Sequence, residues 1–238
     1  MKIDELITSY NLDAHRDFIT KSAAQCIRLS AELTRDEDIP IGGSKFGGFP
    51  DLPSGFEWPS CQPYPMTHVA QLNCDEVANL LPNNRLPKTG VLHFFVQTDE
   101  EGYLEFPLDG EKTWSVFHSD TESLVRTEPP EDSEFHYDAR ALSFRAGLSL
   151  PDTYDGVFDG FSESDMENYN AIQQGLGGHE HQIFGFPSVI QSTDFDGTEL
   201  IFQILSEEDD FMFGDCGYLY FTRKSGTAAL EIDLHVDF

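Results

Sequence analysis

The sequence is short of positive charge. Lys and Arg number 14 against 43 Asp and Glu in 238 residues, a formal net charge of −29 with histidine neutral. A phosphate backbone is held by Lys and Arg that release its counterions, so nucleic acid is not an expected partner. Long apolar runs are missing as well, which excludes a membrane-spanning helix of about 18 or more residues. The first residues, Met1-Lys2-Ile3-Asp4-Glu5, have neither the basic start nor the apolar stretch of a secretion signal, so the expected location is the cytoplasm. The four cysteines, Cys26, Cys61, Cys74 and Cys216, contain no C-x-x-C pair and read as reduced thiols. Cys216 follows Asp215, whose charge would raise a thiol pKa and so argues against an activated nucleophile. Gly-rich phosphate loops, G-x-S-x-G and H-E-x-x-H are all absent. No catalytic residue and no cofactor is assigned on this basis, and binding is expected rather than catalysis.

What is present is core material. Hydrophobic residues make up 39% and aromatics 13%, more than a disordered chain carries. The acids are clumped, at 36–38, 99–101 and 207–210, and an opposite field would steer a basic protein toward them. Residues 3–24 carry the three-and-four spacing of helices through Ile3, Leu6, Ile7, Phe18 and Ile19. From Cys26 the period becomes two. Ile27, Leu29, Ala31 and Leu33 alternate with Arg28, Ser30 and Glu32, as in a half-buried strand with Arg28 on its polar face. A Gly/Pro-rich stretch at 41–65 follows, whose aromatics predict an ordered loop pinned to the body. Asn73 caps a short predicted helix that Pro82 ends, and Val91–Val96 reads as a strand covered on both faces. The acidic stretch 119–138 reads as a surface excursion. Ser162 with Asp165 marks a helix start, and strands are predicted at 183–191, 199–206, 217–223 and 230–236.

Three short blocks occur twice in the same order. Gly48-Phe49-Pro50 answers to Gly185-Phe186-Pro187, Ala70-Gln71-Leu72 to Phe202-Gln203-Ile204, and Gly90-Val91-Leu92-His93-Phe94 to Gly217-Tyr218-Leu219-Tyr220-Phe221. The expected fold class is therefore α+β and predominantly antiparallel β. Two pseudo-equivalent β-rich halves, about 26–118 and 140–236, would pack as one unit within a single domain over 1–238. An N-terminal helix and a few short helices complete it.

The segments Ser44-Lys45-Phe46-Gly47-Gly48-Phe49-Pro50-Asp51-Leu52-Pro53, Phe56-Glu57-Trp58-Pro59 and Ala70-Gln71-Leu72-Asn73 resemble the signature of the YwqG-like bacterial family. So do His181-Gln182-Ile183-Phe184-Gly185-Phe186-Pro187 and Phe213-Gly214-Asp215-Cys216-Gly217-Tyr218. Phe184 departs from it, standing where the family has the first glycine of its second Gly-Gly-x-Pro, and Phe213 stands where a Trp is usual. The resemblance implies a compact, strand-dominated α+β fold without an established function. Members of that family often lie near toxin and immunity genes, which suggests a protective, immunity-type binding role.

Candidate sites are few. Gln71 and Gln203 hold equivalent places in apolar strands, either bonded to the turn backbones or forming an amide clamp for a ligand between the halves. His181 and Asp215 would join them in such a cleft, which could serve a small molecule, a metal or a hydrolytic reaction. His179 and His181, two apart on a strand, face one side and are a weak metal pair, for which Asp215 would be the candidate third ligand. Phe46, Phe49, Phe56 and Trp58 form either a protein-contact surface or a lid over the core. Asp194-Phe195-Asp196-Gly197-Thr198 carries the Asp-Gly chemistry of a hairpin turn.

Overall fold

The computed structural model describes residues 3–61, 63–105, 112–133, 135–153, 158–178, 180–190, 195, 197–206, 212, 217–226 and 231–237. Helices α1 (Ile3–Ser9) and α2 (Arg16–Ser22) lead into strand β1 (Ala24–Leu33). The Gly/Pro-rich stretch carries four short strands, β2 (Lys45–Phe46), β3 (Asp51–Pro53), β4 (Ser60–Cys61) and β5 (Tyr64–Pro65). Then come β6 (Thr67–Asn73), α3 (Cys74–Leu80), β7 (Val91–Val96), β8 (Trp114–Ser119), β9 (Leu124–Arg126) and β10 (Arg140–Ser149). Helix α4 (Glu163–Gly175) precedes β11 (His181–Ile183), β12 (Thr198–Leu205), β13 (Tyr218–Lys224) and β14 (Ile232–Asp237).

Local chemistry sets several boundaries. The Asn73 side chain accepts from the backbone N–H of Asp75 and Glu76, which starts α3. Ser162 and Asp165 bond reciprocally in a capping box at the head of α4. Every residue of β7 is buried, as its nearly all-apolar sequence predicts, His93 included. The predicted strand at 183–191 ends instead at Ile183, because the chain turns into left-handed backbone at Phe184 and Gly185.

Ten strands form one antiparallel sheet in the order β14-β13-β12-β11-β1-β10-β2-β6-β7-β8. Strands β1 and β10 pair along their length at its centre, from Ala24 opposite Ser149 to Leu33 opposite Arg140. Outward from this pair, β10 is followed by β2, β6, β7 and β8, and β1 by β11, β12, β13 and β14. Both wings carry a register irregularity at the same place, between His68 and Ala70 in β6 and between Leu200 and Phe202 in β12. Phe46, Phe94, Phe202 and Phe221 meet in the main core. A second cluster joins α1, α2 and α4 through Leu6, Ile7, Ile19, Tyr169 and Ile172. Full burial of each such side chain stabilises by about 1.5–3 kcal/mol.

Candidate functional site

Each wing carries a sharp corner beside its short inner strand. At the first, Gly47 and Gly48 take φ of 54° and 62°; at the second, Phe184 and Gly185 take 61° and 76°. Left-handed backbone favours glycine, so Phe184 holds its conformation at about 1–2 kcal/mol of local strain. The N–H of Gly47 donates to Val69 O at 2.8 Å, and that of Phe184 to Ile201 O at 3.3 Å.

The glutamines fasten both corners in the same way. Gln71 Oε1 accepts from Asp51 N at 2.8 Å, and its amide nitrogen donates to Gly43 O at 2.7 Å. Gln203 Oε1 accepts from Ser188 N at 2.7 Å, and its amide nitrogen donates to Glu180 O at 3.1 Å. Both side chains are fully buried, so these bonds satisfy groups that would otherwise be stranded from water. Of the two readings of these residues, the bonds found are those of corner supports.

The corners differ in charge. At the first, Lys45 is wholly buried, and its ammonium donates to Asp36 Oδ1 at 2.6 Å and to Phe49 O. Asp36 also accepts from Phe49 N at 2.8 Å. Arg126 donates from Nε to Asp51 Oδ1 at 2.9 Å and from Nη2 to Ile39 O at 3.0 Å. Asp51 further accepts from Gly42 N and from Gln71 Nε2, each at 2.8 Å. Burial alone would raise the Asp51 pKa, but the bonds from Arg126 and Gln71 prevail and hold it below the ordinary carboxylate value. Burial pushes the Lys45 pKa down against the pull of Asp36. Two cations and two anions close this corner.

At the second corner neutral groups stand in the corresponding places. Gln182 donates to Phe186 O at 2.8 Å and to Phe184 O, the task that Lys45 performs for Phe49. Ser149 Oγ accepts from Phe186 N at 2.8 Å, where Asp36 accepts from Phe49 N. Ser188, not an aspartate, sits over Gln203. A buried charge is present here too: Arg28, on β1 directly opposite Gln182, is only 2% exposed. Its Nη2 donates to Leu148 O at 3.1 Å, while Nε and Nη1 are buried with no partner among the described residues. Gln182 Oε1 is also buried without a partner. Both side chains line a cavity of about 230 Å³, walled by Ser149, Leu150 and residues of α4 and the Phe186-Pro187 corner.

The other sequence-predicted residues lie elsewhere. His181 is buried, with Nδ1 accepting from Leu205 N at 3.0 Å and its ring edge-on to Phe46 at 4.7 Å. His179 and Asp215 lie outside the described residues, as do Asp194 and Asp196. Among the described residues no group of three or more His, Cys, Asp or Glu is placed to hold a metal. The four aromatics separate. Phe46 is 1% exposed and belongs to the core, so it presents nothing to a partner. Trp58 donates to Met66 O at 2.8 Å and packs edge-on to Phe95, Phe56 stacks on Phe117, and Phe49 lines an open groove with Asp36, Glu37 and Asp138.

Sequence reasoning missed Arg28 and Arg126. The alternation in β1 assigned Arg28 to solvent, but α4 covers that face, and the residues from Cys26 to Leu29 are all buried. The acidic stretch 119–138 hides β9, which pairs with β3 and carries Arg126 onto Asp51.

The fold and the site define a mostly antiparallel β protein with an unpaired buried arginine in a small polar cavity. The chain belongs to the family of the Domain of unknown function (DUF1963), whose model matches residues 44–227, which takes in the Gly47-Gly48 and Phe184-Gly185 turns but neither Asp36 nor Arg28. No curated protein matches the sequence. Among the described residues no helix is long and apolar enough to cross a membrane.

Proposed function

We propose that this protein is a non-enzymatic binding protein whose acidic surface engages a basic protein partner. The observation that carries this reading is that five of its surface cations already have an acidic partner within the chain. Arg16 pairs with Asp4 and Asp13, Lys21 with Asp17, Arg35 with Asp38, Arg85 with Glu199 and Arg145 with Glu180. With 43 acids against 14 cations, such pairing leaves most carboxylates without a cation of their own. The groove beside Phe49 combines an aromatic with Glu37 and Asp138, the elements of a hot spot for a basic segment. With the YwqG-like motifs, the partner would be a toxin and this protein its immunity-type antagonist in a bacterial cytoplasm.

The same reading treats the two halves of the sequence, about 26–118 and 140–236, as copies packed as one unit, each lending its first long strand, β1 or β10, to the wing built by the other. Its support is the shared strand order outward from the central pair, the matched irregularities in β6 and β12, and the equivalent bonds of Gln71 and Gln203.

Affinity capture with the immobilised full chain at low and high salt tests the binding role. The expected result is retention of a basic protein that high salt releases and that Phe49→Ala with Glu37→Lys weakens. Retention of nothing basic, or binding indifferent to both salt and substitution, contradicts it.

A further inference from the structure

Arg28 is an unusual residue to bury alone. A guanidinium keeps its proton in a protein interior, so it cannot escape burial by becoming neutral, although burial lowers its pKa. Buried charges are ordinarily paired, because an isolated one is strongly unfavourable away from water. Here the side chain is held by packing. Its stem crosses Gly147, where an added Cβ would come within 3.1 Å of Arg28 Cγ. The nearby carboxylate of Glu180 is engaged by Arg145 on the exposed side. Two of the three guanidinium nitrogens are buried without an acceptor among the described residues, in a side chain that lines the cavity.

Beside it stands the complementary vacancy. The Gln182 amide nitrogen donates to two carbonyls, Phe184 O and Phe186 O, which fixes the amide orientation and leaves Oε1 as the free end. Oε1 is a buried acceptor with no donor, and Arg28 a buried donor with no acceptor, on residues directly paired across two strands. A ligand that satisfies both must offer an anion and a donor a few ångströms apart. At about 230 Å³ the cavity falls below the usual range of drug-sized pockets, which limits that ligand to a few heavy atoms. Asp152 and the C-terminal end of α4 at Gln173 and Gln174 also line it, adding negative potential that favours a ligand with its own positive group and disfavours a phosphate dianion.

We propose that this cavity binds a small zwitterion of amino-acid size, its carboxylate on the Arg28 guanidinium and its ammonium on Gln182 Oε1. The site stands apart from the acidic surface, and neither reading depends on the other. At the first corner the charged groups Asp36, Lys45, Asp51 and Arg126 satisfy one another, so no unpaired charge is left there among them.

Calorimetric titration of the full chain tests the assignment, with free amino acids tried singly and acetate, the matching amino-acid amides and inorganic phosphate as separate arms. In parallel, the Arg28 Nε–H resonance is followed in ¹⁵N-arginine-labelled wild-type protein and assigned by its loss in Arg28→Met. The expected result is that at least one amino acid binds and moves that resonance. Its amide should bind weaker by roughly ten- to a hundredfold, the loss of one charge-assisted hydrogen bond, and Arg28→Met should not respond. Acetate binding as tightly as any amino acid removes the ammonium contact and overturns the zwitterion. Phosphate binding more tightly overturns the carboxylate. An unmoved Arg28 resonance in every arm means that trapped water alone serves the two groups, and it overturns the site.

Discussion

The two corners use one backbone design and opposite electrostatics. Both turn through consecutive left-handed residues, both are pinned by a buried glutamine, and both direct a strand side chain at the carbonyl of the phenylalanine before proline. The first fills its interior with Lys45, Asp36, Asp51 and Arg126. The second replaces the strand charges with Gln182, Ser149 and Ser188 and receives one unmatched cation, Arg28. The difference teaches where stability and function reside. A closed ionic cluster has no unmet demand and specifies shape. A corner stripped of its anions retains a demand that only something from outside the chain can meet.

The largest expected effect lies at the closed corner. Asp51→Ala would leave Arg126 without its main carboxylate partner and should lower unfolding free energy by roughly 3–5 kcal/mol, read by urea denaturation. A loss no larger than that of an exposed aspartate would break the contrast between a filled and an open corner. Next come the glutamines. Gln71→Leu and Gln203→Leu should each lose about 1–3 kcal/mol, because each strands a buried backbone N–H. Similar losses would sharpen the likeness of the corners, and a neutral Gln203→Leu would break it.

Acid should bear more heavily on the first wing. Burial drives the pKa of both His68 and His93 down to about 3. His68 donates from Nδ1 to Gly48 O at 3.2 Å and its Nε2 is buried without a partner, so protonation there strands a charge. Each folded-state value lies below the ordinary histidine value, so the unfolded chain binds more protons as pH falls from about 6.5 toward 3. Stability is therefore full above that window and is lost through it, by up to about 2 kcal/mol per histidine at pH 5. His93→Gln should flatten the profile in denaturation measured across that range; an unchanged profile contradicts the assignment. The smallest effect is expected from Ser149→Asp, which brings the carboxylate of the first corner to the second. Folding stability should change by less than about 1 kcal/mol, while the amino-acid response in the Arg28 cavity disappears.

Much of the frame was readable in the sequence because its signals are local. The capping groups Asn73 and Ser162 sit next to the helices they start, and the apolar run of β7 declares its own burial. The repeated blocks drew attention to Gln71 and Gln203, two buried glutamines that make matching bonds to turn backbone. The open site was not readable, for a physical reason. A period of two assigns alternate residues to opposite faces of a strand, but whether the polar face is wet depends on a layer supplied from afar. Helix α4, more than a hundred residues beyond Arg28, supplies it. Arg126 was hidden because a three-residue strand has no period to detect.

The account rests most directly on Arg28 being held against the interest of the ligand-free fold. Arg28→Met keeps the stem that crosses Gly147 and removes the charge, so urea denaturation without ligand should show a variant more stable than wild type by about 1–3 kcal/mol. A variant less stable than wild type would mean that the guanidinium serves the structure itself, and the contrast between the corners would fail.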